Sequence, residues 1–283
     1  MTIRNPVEWG VDQFRLAGIA IGAAGHAVGE TGGADLAIRR ITAADLRDAL
    51  RKGFDDFGAC RSDVLFLCII YPVAGLLLAR LAFGYDMVPL LFPLASGFAL
   101  IGPLAGLGLY EMSRRREQGV HSSLPDAFSV VRSPSFGAIA ALGLLLLAIF
   151  VVWLGVAQAI YDATLGPKPP ESIAAFVHAV LTTQAGWTMI GLGMGVGFLF
   201  ALLALTISVV SFPLLLDRVV PLRAAIGTSV RAVIANPGPM ALWGLIVACG
   251  LAIGSIPALL GLIVVMPVLG HATWHLYRRV VAR

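Results

Sequence analysis

The chain alternates charge-free apolar stretches with short polar segments, and most of the stretches exceed the ~18 residues that mark a membrane-crossing helix. Residues 64–83 form the first, interrupted only by Arg80 near its end, where the side chain can reach toward the headgroups. Residues 87–110, 136–160 and 188–216 form the next three, the last long enough that it must tilt, kink or project. From position 232 to position 277 there is no Asp, Glu, Lys or Arg. One helix of that length would extend about 70 Å, more than twice the hydrocarbon core. A fold-back at Gly254-Ser255-Ile256-Pro257 is therefore expected, giving spans at 239–256 and 258–277.

Between the spans the period changes. Residues 42–57 place Leu46, Leu50, Phe54 and Phe57 on one helical stripe, with Thr42 and Asp45 at capping-box spacing. Residues 123–132 align Leu124, Ala127, Phe128 and Val131, and residues 222–234 align Leu222, Ala225, Ile226, Ser229 and Val233. Each segment is expected to stop at a breaker: Arg61-Ser62-Asp63, Ser133-Pro134 and Asn236-Pro237. The fold class predicted is an all-α polytopic membrane protein. Its six transmembrane helices form three hairpins, each preceded by a cytoplasmic amphipathic helix. Residues 1–40, rich in Gly and Ala, are expected to be a flexible cytoplasmic arm before a membrane domain at 41–283. Glu8 and Asp12 speak against a cleaved leader there.

A repeat strengthens the hairpin reading. Pro103-x2-Gly106-x3-Tyr110-x3-Arg114-Arg115 matches Pro267-x2-Gly270-x3-Trp274-x3-Arg278-Arg279, and Pro213 with Arg218 gives a weaker third copy. Between spans three and four, Ile173, Phe176, Val177, Val180 and Leu181 stand at helical spacing, predicting an outer interfacial helix.

Charge sets the orientation. Of the 20 basic residues, 18 fall on one face of this arrangement, with Lys168 alone on the other and Arg80 near that boundary. Both termini are then cytoplasmic. Composition agrees: 58% of residues are apolar, 13% charged, and mean hydropathy is +0.89. Soluble domains carry about 25% charge. Cys60, Cys68 and Cys249 make no CxxC pair, which excludes a disulfide framework or a zinc cluster.

Candidate chemistry is sparse. No Asp, Glu, Lys or Arg lies mid-span, so the carboxylate and lysine relays usual in pumps are missing, and no nucleotide, hydrolase or nucleic-acid motif is present. His271 and His275, four residues apart, share a helix face and could take a metal or haem, or else hydrogen-bond to Asp217 or Glu111. The pairs Arg114, Arg115 and Arg278, Arg279 are the expected contacts for anionic lipid or a partner protein. Gly102 with Gly106, and Gly191, Gly193, Gly195 and Gly197, have close-packing spacings.

The strings running from Ser211 to Arg218, Thr228-Ser229-Val230-Arg231, Asn236-Pro237, Trp243-Gly244 and Gly270 to Arg278 resemble the integral membrane proteins of domain-of-unknown-function family 2189. Gly53-Phe54-Asp55-Asp56 extends the resemblance, which covers about residues 40–280. It implies a bacterial inner-membrane protein and brings no activity, cofactor or catalytic residue. The expected function is a non-enzymatic scaffold or assembly factor for a membrane complex, without cofactor or nucleic acid, contacting anionic lipids and a membrane partner or a second copy. A permease or channel for a small solute, and a metal- or haem-associated role at His271 and His275, are the alternatives.

Overall fold

The computed structural model describes residues 36–68, 88–120, 124–168, 170–257 and 259–282, together with positions 73, 76 and 80. Most of the expected first span, the arm up to residue 35 and Ser123 lie outside the described residues. What is described is helical, with no strand. In chain order the α-helices are α1 (Ala43–Cys68), α2 (Leu91–Ala105), α3 (Leu107–Glu117), α4 (Leu124–Ala127), α5 (Phe136–Thr164) and α6 (Ile173–Thr182). Then come α7 (Gln184–Ser208), α8 (Ser211–Asp217), α9 (Leu222–Ala235), α10 (Pro237–Ser255) and α11 (Leu262–Val280).

Local chemistry explains most boundaries. Asp45 reaches back from the first turn of α1 to accept from the Thr42 amide (2.9 Å) and hydroxyl (2.9 Å), half of the expected capping box. The hydroxyls of Ser172 and Thr183 accept from the Ala175 and Gly186 amides to start α6 and α7. Pro237 opens α10 in the first turn, where its missing N–H costs no helical bond. Gly166, at φ +97°, closes α5 in a conformation that a side chain would oppose.

Three elements differ from the sequence reading. The segment expected as one helix at 123–132 is the short α4 followed by a 3-10 helix over Phe128–Arg132. Helix α1 continues through Arg61-Ser62-Asp63, because none of the three is Pro or Gly and each keeps the backbone N–H that the helix needs. The turn between α10 and α11 takes in Ile256-Pro257 of the expected Gly254-Ser255-Ile256-Pro257, but Gly254 and Ser255 remain helical and α11 starts only at Leu262. Ser255 donates its hydroxyl back to Leu251 O (2.7 Å) and stays helical. The reversal uses Leu259 at φ +67° and a close approach of Gly261 to Gly254, whose carbonyl oxygen would lie 2.7 Å from a Cβ at position 261.

The repeat also acquires two shapes. Helix α2 ends at Ala105 and α3 starts at Leu107, so the first copy of the motif straddles a break at Gly106, whereas α11 runs unbroken through Pro267. The copies meet directly: a Cβ at Gly270 would lie 2.5 Å from Leu109 Cδ1, so only glycine admits this contact of α11 with α3.

Packing centres on α11, which lies along α1 on one side and touches α3 and α10 on others. Trp153, Trp243, Trp274, Tyr277 and Phe212 are fully buried and anchor the core. The outer faces are apolar as well: Leu144 on α5 is 66% exposed and Phe198 on α7 is 64%. Such faces suit lipid rather than water. Among the described residues, three helical stretches are long and apolar enough to cross a membrane: Phe136–Thr164, Gln184–Asp217 and Pro237–Ser255.

The start of the described chain is laced to its end. Arg39 N donates to Val280 O, Ala282 N donates to Ala37 O, and Ile38 bridges Val281. Buried Asn236 accepts from Ile41 N (2.8 Å) and donates to Arg39 O and Ala232 O. The last residues of the expected arm are thereby pinned.

Candidate functional site

Three helices bring polar side chains into one joint. Asp56 comes from α1, Ser113 and Arg116 from α3, and His271 and His275 from α11. Asp56 Oδ2 accepts from Ser113 Oγ (2.6 Å) and pairs with His275 Nε2 (2.8 Å), while Arg116 Nε lies 3.4 Å from Oδ1. Ser113 Oγ also meets His271 Nδ1 at 2.8 Å. Ser113 has a single hydroxyl proton, already donated to Asp56, so His271 must donate its Nδ1 proton to Ser113. His271 Nε2 is then an acceptor, and it has no partner among the described residues. Burial pushes the Asp56 carboxyl up, but the bonds from His275 and Ser113 outweigh it and hold it below the ordinary carboxylate range.

Three ion-pair groups surround this joint. Buried Glu111 takes both Arg114 (2.7 Å) and Arg115 (2.8 Å), and Arg115 continues to Asp126. Asp217 accepts from Tyr277 Oη (2.7 Å) and Arg278 Nη1 (3.2 Å), and Arg278 also pairs with Glu117, which takes the Trp274 indole N–H. Asp48 gathers Arg279, Arg51 and Lys52, and the hydrogen bond from Arg279 is the main cause that holds its carboxyl at about 2.

The histidine pair therefore meets Ser113 and Asp56 rather than Asp217 or Glu111, which are engaged by arginines and Tyr277. Among the described residues no group of three or more His, Cys, Asp or Glu side chains could hold a metal. The joint contains Ser, His and Asp, yet their order is not that of a nucleophile-activating triad. There the carboxylate orients the histidine that takes the serine proton. Here the carboxylate accepts directly from the serine, and Ser113 is 1% exposed and His271 0%. Ser113 and Asp56 stand 57 positions apart and carry no local motif, so only the fold unites them.

Two cavities flank α11. One, of about 340 Å³, is bounded by Gly102, Gly106, Gly244, Gly270, Leu205 and Trp243, among other apolar residues. Of its hydroxyls, Ser208 and Thr273 donate to carbonyls of their own helices. The other, of about 360 Å³, lies against the polar joint on the opposite side.

No curated protein and no solved structure matches the chain. The string around His271 lies outside the stretch that a family model does match. Residues 91–217, helices α2 to α8, match the family described as Predicted integral membrane protein (DUF2189).

Proposed function

We propose that the protein is a non-enzymatic scaffold or assembly factor of the bacterial inner membrane, crossing it six times with both termini in the cytoplasm. The observation that carries this reading is the joint of α1, α3 and α11. Asp56, Ser113 and His275 are engaged with one another in a largely buried junction that Arg116 borders, while the apolar outer faces of α5, α7 and α10 remain free for lipid or a partner helix. The apolar cavity favours a scaffold over a permease for a polar solute, since its wall is almost wholly apolar and the hydroxyls of Ser208 and Thr273 are spent on carbonyls of their own helices. Anionic lipids and a membrane-protein partner or second copy are the expected contacts.

Quantitative pulldown of the full chain from membranes in mild detergent tests this. A scaffold should retain a defined membrane complex that an Asp56→Asn variant, folded but loosened at the joint, retains less well. Recovery of the chain alone, at the mass of a monomer, would contradict it.

A further inference from the structure

The 360 Å³ cavity beside the joint has walls of unbalanced charge. Arg39, Lys52, Arg116, Arg278 and Arg279 line it, against only two carboxylates, Asp56 and Glu117. The available acids are shared among several donors. Asp56 already accepts from Ser113 and His275 beside Arg116, and Glu117 takes Trp274 as well as Arg278. Asp48, just outside, serves Arg51 and Lys52 as well as Arg279. The side chain of Arg39 has no partner among the described residues, though its backbone is fixed by Val280 and Asn236. The C-termini of α3 and α11 end nearby and each contributes about half a negative charge. Arg278 also pairs with Asp217 and Arg279 with Asp45, so the positive charge left open in this concave site is carried by Arg39.

We propose that this cavity is a binding site for a phosphate-bearing anion. Guanidinium forks from three separate segments converge on it, and their planar donors match phosphate oxygens better than a diffuse basic surface would. Ser113 and His275 stand at its wall. The phosphate belongs either to a lipid headgroup or to a small soluble ester. The proposal deepens the anionic-lipid part of the function above and rests on the membrane placement given there, but not on the scaffold role.

The test uses the full chain in a neutral detergent. In one arm phosphatidylglycerol or cardiolipin is titrated and retention is read by native mass spectrometry. In the other, inorganic phosphate and glycerol phosphate are titrated by calorimetry. The variant is Arg39→Gln with Lys52→Gln, since Arg39 is exposed, Lys52 is half-exposed, and neither belongs to the buried joint. The control is Arg132→Gln with Arg223→Gln, basic residues outside the cavity. Affinity should fall about thirtyfold in the cavity variant, about fivefold for each cation removed, and hardly at all in the control. Loss confined to the lipid arm identifies a headgroup site, and loss in the soluble arm identifies a small ester. Equal binding by cavity variant and wild type, an equal loss in the control, or no binding in either arm would overturn the proposal. Each could occur while the pulldown complex stays intact, so the two failures are distinguishable.

Discussion

Asp56→Asn removes one charge from the joint while keeping its shape. The carboxylate accepts from Ser113 and His275 and faces Arg116, and the residue is 6% exposed. Hydrogen bonds to a charged group contribute about 1.5–3 kcal/mol each, and breaking a buried pair from one side costs about 3–5 kcal/mol. Asparagine keeps one acceptor oxygen, but its NH2 group must face a donor, Arg116 in one orientation or Ser113 and His275 in the other. The joint also opens onto a polar cavity, so the loss should sit at the low end, about 3 kcal/mol. His275→Gln, whose amide can still donate to Asp56, should cost less than about 1 kcal/mol. Because the folded-state pKa of Asp56 is depressed, its stabilisation is fully present above the unfolded value of about 3.9 and is lost as pH falls through the lower folded value. The acid limb of stability should accordingly flatten in Asp56→Asn. Unfolding by sodium dodecyl sulfate in mixed micelles, followed by far-ultraviolet circular dichroism between pH 2 and pH 8, reads both effects. A variant within about 0.5 kcal/mol of wild type at neutral pH, or one with an unchanged acid limb, would refute this energetic role.

Gly53→Ala places a Cβ 2.7 Å from Val268 O and 2.8 Å from the Ala272 Cβ, so α1 and α11 must separate. A loss of about 1–3 kcal/mol is expected despite better helix propensity, whereas Gly58→Ala, with nothing within 4 Å, should gain up to about 1 kcal/mol in the same assay. Asn236→Ala strands the buried Ile41 amide and should cost about 1–3 kcal/mol, with hydrogen exchange at Ile41 accelerated. Arg279→Gln should let the Asp48 carboxyl rise from about 2 toward its ordinary range, a shift followed by carboxyl carbon NMR.

Patterns that depend on neighbours in the chain were legible before the structure. The segment expected at 222–234 is helical as α9, with Leu222, Ala225 and Ser229 buried, and the helix expected from Ile173 to Leu181 is α6. The breakers Ser133-Pro134 and Asn236-Pro237 hold because Pro and its preceding residue oppose helix geometry. Arg61-Ser62-Asp63 failed as a breaker because polarity marks a surface and not a chain reversal. The joint was half legible: the spacing of His271 and His275 put both on one face, but their partners stand 158 and 219 positions away. Nothing in periodicity ranks Asp56 and Ser113 above Glu111 and Asp217. The packing of Gly53 on α11 and Gly270 on α3 decides that choice.

Alkaline-phosphatase fusions placed along the full chain test the membrane arrangement most directly. Fusions between Gly166 and Glu171 should be active, and those after Arg116, after Arg223 and at the C-terminus inactive, which puts the α1–α3–α11 joint and its basic cavity in the cytoplasm. Activity at the C-terminus, or silence between Gly166 and Glu171, would contradict that arrangement.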